Sequence, residues 1–226
     1  MQRRKDPLQT NHYYHIYSRS IAGYKIFNDA TDFERFYNLL NLYRFSNFDY
    51  KYSTFMRLSL EFQLDVMISL EKENNALVEI IAYCLMPTHI HLLVKQLKEE
   101  GISKFMARVL NAYSKYFNTR HGRLGPLWSG RFKNVLIQND EYLLHLTRYI
   151  HLNPTSAGLV NSPTEWQYSS YNYFIDPVNS RPDFITPQDD LFSITPKQYK
   201  KFVLDQKSYQ RELAQIKSLT IDNYTG

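Results

Sequence analysis

His89 and His91 flank a single isoleucine inside the run YCLMPTHIHLLV, residues 83–94. On a β-strand side chains alternate between faces, so both imidazoles point one way with Leu93 while Ile90, Leu92 and Val94 point the other. Two neutral imidazoles about 7 Å apart on one strand face can share a metal ion. The pair alone also fits the plainer role of half-buried histidines hydrogen-bonded to neighbours, so further ligands must come from another element.

The segment DEYLLHLTRYIHLN, 140–153, is the place to look. Helical periodicity gathers Tyr142, Leu146, Tyr149, Ile150 and Asn153 on one side, with Tyr149 and Asn153 four residues apart. Taken singly, Tyr149 suits a core tyrosine at the edge of an apolar stripe, and Asn153 a helix-end residue before Pro154. His151 projects almost opposite to Asn153, and His145 lies closer to the face.

These two elements need a scaffold. HYYHIYSR (12–19) reads as a first strand, and DATDFERFYNLLNLYRF as a helix capped by Asp29 or Thr31. Residues 52–70 suit a second helix that packs without chemistry of its own. LVEIIAYCLM and HIHLLVKQ are two strands in tight antiparallel return, broken by Pro87 and Thr88. ISKFMARVLNAYSKYFNTRHG is an amphipathic helix with Phe105, Val109, Tyr113, Tyr116 and Phe117 on one stripe and Lys104, Arg108, Asn111 and Lys115 on the other. RFKNVLIQ is a strand, and the 140–153 helix ends at Pro154. Alternating strands and helices make the class α/β or α+β with one main sheet. Beyond Val160 the composition turns aromatic, polar and proline-punctuated. We place a boundary near Ile175, giving 1–175 as the main domain, with a helical insertion at about 48–76, and 176–226 as a small appendage, helical over 195–218.

The 226 residues suffice for one sizeable core, and the single cysteine, Cys84, excludes an internal disulfide framework and any cysteine-rich zinc site. No run of about 18 apolar residues occurs and no apolar segment follows the basic start MQRRK, so a cytoplasmic, non-membrane protein is expected. From Gly101 to Ile150 eight basic residues face only Asp140 and Glu141, a net +6 where the whole chain carries +5. An anionic partner would meet that segment first.

MPTHIHLL, FNTRHGRLGPLWSGRFK and YLLHLTRYIHLNPTSAGLV, in this order, resemble the single-tyrosine HUH transposases of small bacterial insertion sequences, especially their REP-associated relatives. The resemblance runs from about His12 to Phe174. It implies an α+β, ferredoxin-like antiparallel sheet with helices packed on it. It also implies that His89 and His91 are the paired metal ligands, Tyr149 the nucleophile of a Tyr-x-x-x-Asn pattern, and Asn153 the third ligand. Relatives commonly carry asparagine before the first histidine, where this chain has Thr88; threonine keeps a hydrogen-bonding oxygen and loses the amide donor.

The implied reaction is transesterification of single-stranded, hairpin-containing DNA, which leaves a covalent 5′-phosphotyrosine and a free 3′-hydroxyl. A phenol with its ordinary pKa near 10 is about a thousandth ionised at neutral pH, so the phosphate must be activated. A divalent cation on two imidazoles and an amide oxygen would do so. The mixed nitrogen and oxygen set favours Mg²⁺ or Mn²⁺, with zinc also admitted. Phosphate contacts would come from Lys104, Arg108, Lys115, Arg120, Arg123, Arg131 and Lys133, with Trp128 stacking on a base or packing its own loop. Three other readings remain: a non-catalytic DNA-binding protein on this scaffold, a phosphodiesterase using water, and an interaction module whose histidines are ordinary core residues. Monomer and homodimer are both compatible with the sequence.

Overall fold

The computed structural model describes residues 7–180, 184–186 and 191–205. Its elements are β1 (Tyr13–Arg19), α1 (Ala30–Tyr43), α2 (Tyr52–Phe55), α3 (Leu60–Glu73), β2 (Val78–Met86), β3 (His89–Gln96), α4 (Gly101–Arg120), β4 (Lys133–Leu136), α5 (Asp140–Ser156), α6 (Tyr171–Ile175), α7 (Pro177–Ser180) and α8 (Pro196–Leu204). The fold is α+β. The four strands form one antiparallel sheet in the order β2-β3-β1-β4.

Pro87 and Thr88 make a two-residue return, so Met86 pairs with His89 and Cys84 with His91. Alternation then divides β3. Gln96, in phase with Ile90 and Leu92, turns toward α4, where its side-chain oxygen accepts from the Ile102 amide at 3.1 Å. His91 turns the other way, toward α5. Helices α1 and α4 therefore cover one face of the sheet, and α5 covers the face that carries the imidazoles.

Local chemistry sets the ends of these helices. Asp29 caps α1 and Asn139 caps α5, each side chain accepting from the backbone amide three residues on. Pro154 lies within the last turn of α5 and does not end it. Its fixed φ suits the helix, which closes past Ser156 at Gly158, whose φ of +68° favours glycine. Gly101 opens α4 where an added Cβ would clash with the Leu77 carbonyl, so only glycine lets the helix start so close to the chain leading into β2.

The excursion between α1 and β2 is pinned at its neck by the Phe45–Ala76 bridge. It holds two helices, because Ser59 caps a fresh start for α3. The expected packing role of this stretch holds only in part. Leu70 is buried, whereas Leu60, Leu64 and Ile68 stay exposed on one side of α3. The C-terminal segment packs back onto the body: Ile185 bridges to Ile80, and α8 lies against α5 and α6. The last nine-residue helix covers the start of the expected 195–218 helix; residues beyond 205 lie outside the described residues. No helix among the described residues is long and apolar enough to cross a membrane.

Candidate active site

Four aromatic side chains from three elements meet on the α5 face of the sheet. β3 brings His89 and His91 together with ring centroids 5.0 Å apart. α5 sets the Tyr149 ring edge-on to His91, 5.7 Å away at 90°. The fourth, His15 of β1, was not singled out from the sequence. Its Nε2 lies 2.9 Å from His91 Nδ1, with the rings stacked at 19° and Tyr149 6.1 Å away. All belong to one chain.

His15 and His91 are both fully buried. Burial pushes the His15 imidazole down to about 3. It also holds His91 well below the ordinary histidine range, with His89, His15 and Arg19 adding charge repulsion. Both rings are therefore neutral at physiological pH, the form in which a nitrogen can ligate. His91 Nε2 is buried with no hydrogen-bond partner among the described residues, an arrangement that folded proteins rarely leave without a purpose.

Asn153 follows Tyr149 by one turn and is nearly buried; its Nδ2 donates to the Tyr149 carbonyl at 3.0 Å, which leaves the amide oxygen as the end for a cation. Thr88 Oγ1 lies 3.0 Å from His89 Nδ1, within hydrogen-bonding reach of the ring. His151, as its helical phase implies, stands away from this cluster. It is buried between Tyr199 (2.6 Å) and Ser170 (2.8 Å), and burial lowers it to about 3. His145 faces Phe202 of α8.

Two more residues reach this face through the strand register. Arg19 stands opposite His89. Lys133 pairs with Tyr17 and Tyr17 with His91, so the three form a row across the sheet. Among histidine, cysteine, aspartate and glutamate in the described residues, no group of three is arranged to hold a metal.

The basic residues expected to contact DNA divide sharply. Arg108 donates to the Phe45 carbonyl at 2.7 Å and to the Phe48 carbonyl. Arg120 is paired with Asp29 and with buried Asp32 at 2.8 and 2.7 Å, and holds the Asp29 carboxyl below its usual range. Arg123 braces its own loop through the Gly125 and Pro126 carbonyls. Trp128 donates to the Leu110 carbonyl and packs toward Phe36 and Tyr113, the packing alternative for that ring. Lys104, Lys115, Arg131 and Lys133 are exposed. Arg148, counted in the basic segment, is buried, stacks over Phe202 and donates to the Asp205 carbonyl.

Residues 48–153 match the family model described as "Transposase IS200 like". A Haemophilus influenzae protein named as a REP-associated tyrosine transposase is 32% identical over 105 residues, which cover 42% of this chain and 59% of that relative. The REP-associated tyrosine transposase of Escherichia coli K12 is 26% identical over 115 residues, 51% of this chain and 67% of its own. The chain thus spans less than two thirds of the Haemophilus relative. A solved structure titled as a REP-associated tyrosine transposase bound to a REP hairpin superposes with a TM-score of 0.52, covering 85% of this chain and 96% of that one at 18% identity. At that identity the likeness is one of fold.

Proposed function

We propose that the chain is a single-tyrosine, IS200-like transposase that cuts and rejoins single-stranded DNA at hairpin-bearing sites through a covalent 5′-phosphotyrosine on Tyr149. The observation that carries this reading is the meeting of the Tyr149 ring with the paired histidines, with Asn153 one turn beyond it. The phenol oxygen attacks phosphorus and loses its proton. The bond from phosphorus to the 3′ oxygen breaks, and that oxygen leaves as a hydroxyl.

His89, His91 and Asn153 would hold a divalent cation, Mg²⁺ or Mn²⁺. The buried Nε2 of His91, which has no partner among the described residues, fits that role, as does a ligand set of neutral donors. When bound, such an ion polarises the scissile phosphate and offsets charge on its oxygens. His15 then acts as a positioning residue. A proton on His91 Nδ1, donated to His15 Nε2, leaves the His91 Nε2 lone pair facing the site, and stacking fixes the ring plane. Arg19 and Lys133 add positive charge along the same face for the incoming strand. Residues 1–175 form the catalytic unit in this reading. The segment after 176 steadies α5 through the hydrogen bond between His151 and Tyr199.

The test is to incubate the purified chain with Mn²⁺ and a hairpin-bearing single strand and look for a protein–DNA band on a denaturing gel. The wild type should give the band and Tyr149→Phe none. A band that survives in Tyr149→Phe contradicts the assignment, and cleavage with turnover but no adduct would mean that water is the nucleophile.

A further inference from the structure

On the other face of the sheet, α1, the segment 48–57 and α4 enclose a groove of about 1070 Å³. Its lining contains seven lysines and arginines against one carboxylate, Asp49, a bias that an anion would neutralise. Two of the seven, Arg108 and Arg120, are engaged with carbonyls and carboxylates, and Lys104 pairs with Glu100 at 3.3 Å. Arg57 donates to the Ser53 carbonyl at 3.2 Å; the other three are of a different kind. Lys51 and Lys115 are exposed and have no carboxylate partner among the described residues.

Arg35 is the most informative. Its guanidinium sits 4.2 Å from the Tyr52 ring centroid and 4.4 Å from that of Tyr116, with no salt-bridge partner among the described residues. Two rings lie against the guanidinium and hold it in place, and its N–H edge is the part that matches two phosphate oxygens. Holding that plane in advance lowers the ordering cost of binding. Tyr50, also in the lining and 37% exposed, presents a ring on which an unpaired base can stack.

We propose that this groove is a second nucleic-acid site, which grips the phosphates of single-stranded DNA on the face opposite Tyr149 through Arg35, Lys51 and Lys115. The inference rests on reading the chain as an enzyme of single-stranded DNA. A recessed cavity between helices admits a thin, flexible strand, whereas a duplex can touch only its rim. The wall formed by 48–57 belongs to the excursion from the sheet, so the groove lies outside the ring cluster that positions Tyr149.

The test is fluorescence anisotropy of the full chain with a labelled twelve-nucleotide oligo(dT), over a series of KCl concentrations. Lys51→Glu/Lys115→Glu changes two exposed side chains, and thermal melting checks that the variant is folded. It should bind about tenfold more weakly, with the slope of log affinity against log salt reduced by about 1.4, the value for two lost single-strand phosphate contacts. Arg35→Lys keeps the charge and loses the planar fork, so its affinity should fall about threefold while the slope stays unchanged. Wild-type affinity in the double variant overturns the proposal, and so does an equal loss toward a twelve-base-pair duplex. Repeating the series in a Tyr149→Phe background, where no adduct forms, separates failure of the groove from failure of the assigned nucleophile.

Discussion

The two faces of the sheet handle polar groups in opposite ways. On the α5 side, the His15 and His91 imidazoles are buried, neutral and stacked, and one nitrogen, His91 Nε2, lacks a partner among the described residues. On the α1–α4 side, charge is abundant. Some cations are tied to carbonyls and carboxylates, and others face a groove. Burial makes donors suited to a cation at a fixed point; exposure makes cations suited to a polyanion along a path. The difference suggests one face for chemistry and one for grip.

The largest effects should come from the buried face. Tyr149→Phe should abolish adduct formation, and His91→Ala should slow it by about 10²–10³-fold at saturating Mn²⁺, measured on denaturing gels. Similar losses from changes at Arg35 or Lys115 would break the division of labour. His15→Phe keeps the stacked shape and removes the hydrogen bond. It should weaken Mn²⁺ binding, read by calorimetry without DNA, by about 10–100-fold. Unchanged Mn²⁺ affinity would leave His15 as packing. Thr88→Val, which removes the oxygen 3.0 Å from His89, should cost about 1 kcal/mol, roughly fivefold in the same assay.

One further effect concerns stability alone and lies away from the ligand cluster. His151 is neutral when folded, lowered by burial to about 3, whereas in the unfolded chain it titrates near the ordinary histidine value of about 6.5. Above 6.5 neither state takes a proton. Below it only the unfolded state does, so stability falls with pH by about 1.4 kcal/mol per unit, or about 2 kcal/mol by pH 5. Urea unfolding at pH 7 and pH 5 should show this loss, with His151→Gln reducing the difference by that amount.

How much of this was legible in the sequence follows from how local each signal is. The period of two in THIHLL and the spacing of Tyr149 and Asn153 are short-range patterns, and they place four side chains on the right faces. His15 is also in phase with Tyr17 and Arg19 in HYYHIYSR. Its partnership with His91, however, depends on the pairing of β1 with β3 across 76 residues, a register that tertiary packing sets. The basic stripe of α4 was visible as a stripe. That Arg108 would hold the Phe45 and Phe48 carbonyls, and Arg120 the Asp29 and Asp32 carboxylates, depends on elements far along the chain. Helix α3 shows the converse. Its apolar spacing predicted packing, yet Leu60, Leu64 and Ile68 remain exposed because the excursion turns Val66, Met67 and Leu70 inward instead.

With nineteen tyrosines in the chain, the most direct test is to identify the one that carries DNA. After reaction with Mn²⁺ and a hairpin-bearing single strand, nuclease trimming, proteolysis and mass spectrometry should find the nucleotide on the peptide that contains Tyr149. A nucleotide on any other tyrosine, or cleaved DNA with none attached to protein, would contradict the account.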